Sequence, residues 1–220
     1  MIDKFVRSVA EALAGIEDGS AVMVAGFGVG TPLALIEGLI EQGARDLTLI
    51  CNAGPREDSP TARLLNLGRV RKLVCSFVRP PSDAGRLFTE GKLELEIMPQ
   101  GTLAERIRAA GAGIEGFYTP TGARTELAEG RELREIGGKL CMLEYPLHAD
   151  VALLDAWEAD RWGNLAFRDA QRNFNPVMAM AATLTVAQTK HVVELGAIPP
   201  TQAHTSGIFV DRVVHVPEPG

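Results

Sequence analysis

The stretch Ala21–Ile36 reads AVMVAGFGVGTPLALI and decides the expected fold. An apolar run typical of a buried strand, Val22–Val24, enters a glycine-rich turn, and an apolar helical pattern leaves it. Thr31 is predicted to cap this helix, and Pro32 suits its first turn. Because glycine lets backbone approach a ligand closely, the turn is a candidate binding element.

The spacing of the glycines excludes two common phosphate-binding turns. A P-loop places Lys and Ser or Thr after its last glycine, but here Gly30 is followed by Thr31 and Pro32. A dinucleotide turn needs G-x-G-x-x-G, whereas Gly26, Gly28 and Gly30 are spaced G-x-G-x-G. A literal G-x-G-x-x-G at Gly111–Gly116 follows a predicted helix, which indicates a helix C-cap and loop. A tight corner without any ligand stays an alternative for the Gly26–Gly30 turn.

Strand and helix patterns alternate through the first half of the chain, which favours an α/β fold with a mainly parallel sheet and flanking helices. We predict strands at Val22–Val24, Asp46–Cys51, Val70–Phe77 and Leu93–Met98, and helices at Ser59–Gly68, Ser82–Gly91 and Thr102–Ala110, the last ended by Gly111.

The second half has a different pattern. Residues 131–146 predict a β-hairpin around Gly137-Gly138, a two-residue turn that tolerates positive φ. Further strands are expected at Asp150–Trp157, at Asn164–Arg168 and near the C-terminus, with a small-residue helix over Asn175–Leu184. We interpret residues 1–220 as a single domain that ends in a frayed segment, 217–220.

Composition narrows the classes of function. The net charge is −6 and no stretch has the length of an apolar membrane helix, so neither nucleic acid nor membrane is an expected partner. The N-terminus is predicted to be an amphipathic helix, with Phe5, Val9, Leu13 and Ile16 on one face, rather than a signal peptide. The three widely spaced cysteines fit neither disulfides nor zinc, which favours the cytoplasm.

Two amide side chains follow predicted strands. Gln100 lies between a predicted strand and the N-terminus of a predicted helix. Asn52 in the same way ends an earlier predicted strand, directly after the residues LIC at positions 49–51. Crevices at the carboxyl ends of parallel strands are where α/β proteins bind ligands, and an amide can donate to a carboxylate or carbonyl oxygen. Thr102 and Glu105 have the spacing of a capping box, which assigns them a structural role. The expected site therefore takes a polar acyl group.

No residue pattern identifies a nucleophile, a general base or a metal site. None of His148, His191, His204 and His215 has the spacing of metal ligands, and we interpret all four as structural or solvated. No serine lies in a G-x-S-x-G elbow. Glu144 is more consistent with a salt bridge at a strand end than with a catalytic group.

Several blocks of the sequence, in order, resemble one family. They are VAGFGVGTP, DLTLICNAG, LELEIMPQGTLAERIRAAGAGI, FYTPTG, ADRWGNLAFRDAQRNFNPVMAMAA and GIFVDRVV, and together they extend from about residue 4 to residue 214. These blocks resemble the A (alpha) subunit of family I CoA-transferases, which include the 3-oxoacid and 3-oxoadipate CoA-transferases. LEYPLHADVAL, DRWGNL, MAMAA and VVELG are most similar to the 3-oxoadipate version.

The resemblance implies a function that the residues alone do not. CoA would move from succinyl-CoA to a 3-oxo acid, with 3-oxoadipate the best match, through a glutamyl-CoA thioester on a B subunit in an A2B2 heterotetramer. No catalytic residue would lie in this chain, and no cofactor would be needed beyond the CoA thioester as substrate. Asn52 and Gln100 would bind the substrate, and the turn Gly26, Phe27 and Gly28 would face the thioester.

This chain departs from the family pattern at two places in the expected site. Ala25 replaces the first glycine of the family's GGFG turn, and in this chain the segment before Pro32 is one residue shorter than in the family. The segment CNAG of this chain is likewise one residue shorter than the family's SNNAG. We expect Ala25 to have negative φ, Gly26 and Gly28 to supply the positive φ, and the shortening to be absorbed between Gly28 and Pro32. Two alternatives are acetoacetate or another short 3-oxo acid as acceptor, and a non-catalytic acyl-binding subunit.

Overall fold

The computed structural model describes residues 2–217, in which a mainly parallel sheet of nine strands is flanked by helices and accompanied by a small antiparallel sheet. The strands are β1 (Phe5–Val6), β2 (Ala21–Val24), β3 (Leu47–Cys51), β4 (Val70–Cys75), β5 (Glu94–Ile97), β6 (Phe117–Thr119), β7 (Leu133–Ile136), β8 (Lys139–Glu144), β9 (Ala149–Ala159), β10 (Leu165–Ala166), β11 (Ala182–Val192) and β12 (Arg212–His215). The helices are α1 (Val9–Ala12), α2 (Leu33–Gln42), α3 (Pro60–Asn66), α4 (Asp83–Thr89), α5 (Gln100–Ala112) and α6 (Asn175–Ala181).

The large sheet has the strand order β1-β12-β11-β9-β2-β3-β4-β5, and all of these neighbours pair in parallel. The short β10 pairs antiparallel with the end of β9. The expected fold class is therefore confirmed. Since β2 and β9 are neighbours in the centre, the two halves of the sequence build one sheet.

Alternating side chains of the strands enter two cores on opposite faces of the sheet. In β2, Val22 and Val24 pack beneath α2 and its neighbours, while Met23 packs on the face covered by α5 and α6. Such a pattern is expected for a parallel sheet that is covered on both faces, because neither side of a strand meets water.

The small sheet has the order β6-β8-β7 and is antiparallel. The predicted hairpin is confirmed: β7 and β8 are joined by Gly137 and Gly138, with φ of 57° and 74°. A two-residue turn with positive φ at both positions matches the twist of the flanking strands, and glycine adopts it without strain.

The predicted N-terminal helix is wrong at its start. Phe5 lies in β1, an edge strand that pairs with β12, and the helix begins only at Val9, with Ser8 as its N-cap. Phe5 packs on the α5–α6 face of the sheet, whereas Leu13 and Ile16 are buried on the other face. The helical spacing therefore predicted a single helix face for residues that in fact lie on opposite faces of the sheet.

The predicted capping box of Thr102 and Glu105 is also wrong, because α5 begins two residues earlier, at Gln100. Pro99 occupies the N-cap position, and its carbonyl accepts the amide hydrogen of Leu103 at 2.9 Å. Thr102 is buried within the first turn, and Glu105 pairs with Arg108. The helix ends at Ala112 and is capped by Gly113, which has the left-handed conformation with φ of 68°, so Gly111 does not end it.

Two further boundaries differ from expectation. The small-residue helix α6 stops at Ala181, and Ala182–Val192 forms the long strand β11, in which Thr183 and Leu184 lie. At α2, Thr31 does not cap the helix: Pro32 is the N-cap residue, and the side chain of Gln188 in β11 accepts the amide hydrogens of Ala34 and Leu35. Of the expected frayed end, residues 218–220 lie outside the described part of the chain.

Candidate functional site

The carboxyl ends of the parallel strands place the predicted site residues along one edge of the sheet. The Gly26–Gly30 turn, called the glycine turn below, follows β2, Asn52 follows β3, and Gln100 lies three residues after β5. Because β2 and β3 are neighbours in the sheet, the glycine turn and Asn52 leave it side by side.

The backbone of the glycine turn has the expected conformation. Ala25 is not among the non-glycine residues with positive φ, which in residues 2–217 are Asp46, Asp58 and Asp169, and Gly26 and Gly28 have φ of 110° and 79°. Gly30 also has positive φ, at 76°. The amide of Phe27 donates to the carbonyl of Val29 at 3.1 Å, and the Phe27 side chain is 57% exposed. The turn is a tight protrusion with an apolar tip.

Asn52 and Gln100 are brought into direct contact and are called the amide pair below. Gln100 Nε2 donates to Asn52 Oδ1 at 2.6 Å. Asn52 is only 2% exposed, and the backbone amide of Ser76 donates to its carbonyl at 2.9 Å. Asn52 Nδ2 is buried and has no hydrogen-bond partner among the described residues. A buried donor without a partner costs free energy, so this N–H group is suited to a ligand oxygen.

Glu144 forms a salt bridge, as expected, and its carboxylate is almost fully buried. Arg131 Nη1 lies 2.5 Å from one of its oxygens, and Arg106 Nε lies 3.8 Å from the other. A carboxylate enclosed by two guanidinium groups at the end of β8 is a structural group that joins the small sheet to α5.

His191 and His204 make local contacts. His204 Nδ1 accepts the amide hydrogen of Phe167 at 3.0 Å, and burial, together with the charge of Arg172, lowers the pKa of His204. His191 packs edge-on against Trp157 at 4.4 Å. Within residues 2–217 no group of three or more His, Cys, Asp and Glu side chains is placed to hold a metal ion.

Two buried thiols lie at the ends of the neighbouring strands β3 and β4. Cys51 precedes Asn52 at the end of β3, and Cys75 ends the neighbouring strand β4. Burial raises the pKa of Cys75 to about 11 and the pKa of Cys51 still further. Since only a thiolate is a good nucleophile, neither thiol is reactive at neutral pH, and both side chains serve to pack the interior.

The residues that hold the glycine turn from behind were not predicted. Asn173 Nδ2 donates to the carbonyl of Val29 at 2.9 Å, and Asn175 Nδ2 donates to the carbonyl of Gly30 at 3.2 Å. Both asparagines belong to the segment RNFNP, in which the sequence indicated only the start of a helix. Two asparagines around one phenylalanine at a helix start were the available signal, since asparagine favours such ends for its hydrogen bonds.

Comparison with known proteins gives a consistent result. Residues 6–216 match the model of the Coenzyme A transferase family. The chain is 56% identical over 220 residues to the A subunit of a 3-oxoadipate CoA-transferase from Pseudomonas putida, covering 98% of this chain and 95% of that protein. It is 49% identical over 205 residues to the A subunit of a succinyl-CoA:3-ketoacid coenzyme A transferase from Xanthomonas campestris pv. campestris (strain B100), covering 92% and 85%.

One solved structure adds a contrast. The crystal structure of a variant of the decarboxylase AibA/AibB matches with a TM-score of 0.83 and 30% identity, over 98% of this chain and 84% of that one. A related chain thus occurs in a protein that is named for another reaction.

In residues 2–217 no helix combines the length and the apolar character that crossing a membrane requires.

Proposed function

The chain belongs to the coenzyme A transferase family, and we propose that it is the A subunit of an enzyme that moves CoA from succinyl-CoA to 3-oxoadipate. The observation that carries this proposal is the 56% identity, over nearly the whole of both chains, to the A subunit of a 3-oxoadipate CoA-transferase. Similarity to subunits named for 3-ketoacids supports the broader class of 3-oxo acids, with acetoacetate as the alternative acceptor.

The chemistry is carried by a glutamate of the B subunit. Its carboxylate attacks the thioester carbon of succinyl-CoA, the C–S bond breaks, and CoA leaves as a thiolate. The thiolate then attacks the enzyme's carbonyl of the resulting anhydride, which releases succinate and forms a glutamyl-CoA thioester. The carboxylate of 3-oxoadipate repeats these steps in reverse and leaves as its CoA ester, which restores the glutamate. Covalent catalysis divides one difficult transfer into easier steps.

This chain shapes the acyl side of that reaction. The Asn52 N–H that has no partner among the described residues donates to an oxygen of the acyl group, where negative charge grows during attack. Gln100 holds Asn52 in the orientation that directs this N–H away from their shared hydrogen bond. The glycine turn lies against the thioester, because the missing side chain of Gly28 leaves open space in which the backbone permits close approach, while Gly26 packs closely against Thr31.

The enzyme assembles as an A2B2 heterotetramer in the cytoplasm and serves the degradation of aromatic compounds, in which 3-oxo dicarboxylic acids must be activated as CoA esters. It needs no cofactor other than the CoA thioester that it uses as substrate. The naming of the relatives as A subunits supports the two-subunit organisation.

Separate and combined assays test the proposal. Neither this chain nor its B subunit should transfer CoA by itself, and the purified complex should form the CoA ester of 3-oxoadipate faster than that of acetoacetate. After incubation with succinyl-CoA only, intact-mass measurement should find the CoA adduct on the B subunit. Turnover by this chain without its partner, or the adduct on it, would contradict the assignment of the nucleophile. An inactive complex would favour a non-catalytic acyl-binding subunit.

A further inference from the structure

A cluster of four buried polar side chains lies behind the glycine turn. It consists of Asp155 in β9, Gln171 in a 3₁₀ turn, Asn175 at the start of α6 and Gln188 in β11, and we call it the Asp155 network. All four residues are less than 9% exposed. Within residues 2–217, none of their side-chain polar atoms is among those that lack a hydrogen-bond partner. A buried polar cluster with this degree of satisfaction fixes one arrangement of its neighbours.

The carboxylate of Asp155 is the centre of the network. Its Oδ1 accepts a hydrogen bond from Gln188 Nε2 at 2.8 Å, and its Oδ2 accepts one from Gln171 Nε2 at 2.7 Å. The backbone amide of Asp155 donates to Asn175 Oδ1 at 2.9 Å. Each of the three partners is therefore oriented by Asp155.

Two of these partners pass the orientation on to the site. Gln188 Oε1, directed away from Asp155, accepts the amide hydrogens of Ala34 and Leu35 at 3.1 and 3.2 Å and so caps α2. Asn175 Nδ2 donates to the carbonyl of Gly30, at the end of the glycine turn. The contact is close: a Cβ atom added at Gly30 would lie 2.7 Å from the carbonyl oxygen of Gln171.

We propose that Asp155 is a positioning residue for CoA transfer: its carboxylate orients Gln188 and Gln171, its backbone amide orients Asn175, and together these contacts fix the glycine turn and the start of α2 relative to the thioester. This inference rests on the proposed function for its catalytic consequence. Its structural part, that Asp155 sets the polarity of the cap on α2, does not depend on which reaction the site performs.

The donors and acceptors explain why a carboxylate stands at position 155. An ionised carboxylate accepts hydrogen bonds at both oxygens, as this geometry requires. In an Asp155→Asn variant, an amide NH2 would face the Nε2 group of either Gln171 or Gln188, and two donors would oppose each other. If Gln188 rotated to relieve this conflict, its own NH2 group would face the amides of Ala34 and Leu35, and the cap would be lost.

The experiment compares three variants in the complex with the B subunit. Asp155→Asn disrupts the match of hydrogen-bond donors and acceptors between residue 155, Gln171 and Gln188. The double variant Asp155→Asn with Gln188→Glu restores it, because the new amide can donate to the new carboxylate, whose other oxygen accepts from Ala34 and Leu35. Asp160→Asn is the matched control: Asp160 is equally buried and directly follows β9, but its carboxylate accepts hydrogen bonds from Trp162 and Asn164, away from the glycine turn.

We expect Asp155→Asn to lower kcat by roughly 10- to 100-fold, with a smaller change in KM, because misplacement of a site by about 1 Å has effects of this size. Hydrogen exchange of the amides of Ala34 and Leu35 should become faster. The double variant should recover most of both properties. Asp160→Asn should keep its activity per folded molecule and the slow exchange at Ala34 and Leu35, whatever its effect on Tm.

Several results would overturn the inference. These are unchanged kcat and exchange in Asp155→Asn, similar losses of activity in Asp155→Asn and Asp160→Asn, and failure of the double variant to recover, including failure to fold. If the wild-type complex transfers no CoA, the proposed function fails, and the exchange measurement alone still decides whether Asp155 holds the cap on α2.

Discussion

The glycine turn and the amide pair lie side by side but are stabilised in opposite ways. The carbonyls of Val29 and Gly30 accept hydrogen bonds from Asn173 and Asn175, within surroundings whose polar groups are paired. The amide pair has one internal hydrogen bond, between Gln100 and Asn52, and a buried Asn52 N–H without a partner in residues 2–217. Within the described residues, the carbonyls of Val29 and Gly30 in the turn have hydrogen-bond donors, whereas one N–H of the amide pair has no acceptor.

This difference separates two kinds of contribution to a site. A backbone that is held by buried side chains cannot be changed without disturbing the core behind it, so stability and activity should fall together. An unpaired donor is held at a cost to the free chain and gains its partner in the complex, so activity should depend on it more than stability does. Substitutions on the two sides can test this distinction.

The largest effect is expected for Gly30→Ala. Gly30 has φ of 76°, which is unfavourable for alanine, and the added Cβ would lie 2.7 Å from the Gln171 carbonyl oxygen and 3.0 Å from Asn175 Nδ2. Strain and overpacking together should lower the free energy of unfolding by about 2–4 kcal/mol. Urea denaturation measures this loss, and the activity of the complex should fall with it.

Gly28→Ala is the matched control for this substitution. Gly28 has φ of 79°, but beyond its chain neighbours no atom of the described residues lies within 4 Å of an added Cβ. Only the backbone cost should remain, about 1 kcal/mol. Equal losses of stability in the two variants would show that the contacts behind Gly30 do not hold the turn.

A smaller effect, of another kind, is expected for Gln100→Ala. Loss of the group that orients Asn52 should lower kcat/KM by roughly 10- to 100-fold, which corresponds to about 1.5–3 kcal/mol. Stability should change little, because Gln100 is exposed and water can replace its hydrogen bond to Asn52. Steady-state kinetics and thermal unfolding of the same preparation measure the two effects.

The opposite pattern would contradict the comparison. If Gln100→Ala lowers Tm steeply while activity per folded molecule holds, the amide pair is part of the scaffold and the acyl group binds elsewhere. If both properties fall in proportion, as expected for Gly30→Ala, the two regions do not differ in the way proposed.

The same contrast explains what the sequence could predict. The strand ends carry Asn52 and Gln100, and the rule that α/β sheets bind ligands at their carboxyl edge was sufficient to place them together. The positive φ of Gly26 and Gly28 followed from glycine in a turn. These features depend on local pattern and on a general rule of topology.

The supports of the glycine turn could not be predicted in this way. Gln188 is separated from Ala34 by 154 residues, and its side chain replaces the local cap expected from Thr31. Asp155 is buried because β9 pairs with β2 and β11. The spacing of apolar residues along a segment does not reveal which strands will be its neighbours, so this burial could not be predicted. The prediction of an N-terminal helix that includes Phe5 was wrong for the same reason, because Phe5 pairs with β12 in the sheet, a long-range contact that helical spacing does not reveal.

The last effect is absent at neutral pH and appears only at alkaline pH, on the amide-pair side alone, because the glycine turn has no ionisable side chain. Burial raises the pKa of Cys75 to about 11, above the ordinary value of 9.0 that applies to the unfolded chain. Above pH 9 the unfolded state therefore binds fewer protons than the folded state, and the free energy of unfolding falls as the pH rises towards 11. Below pH 9 the thiol is neutral in both states and contributes no pH dependence. Cys51, whose pKa is also raised, adds to the same decline.

Cys75→Ala should make this decline shallower, by up to about 1.4 kcal/mol per pH unit. The measured quantity is the slope of the free energy of unfolding against pH, from urea denaturation between pH 8 and pH 11, compared between the variant and the wild-type chain. Comparing slopes removes the constant cost of the small cavity that the substitution leaves. Parallel declines in the two proteins would mean that Cys75 becomes a thiolate as readily in the folded chain as in the unfolded one. Water would then reach the end of β4, and the Cys75 thiol would not be shielded from solvent as its burial indicates.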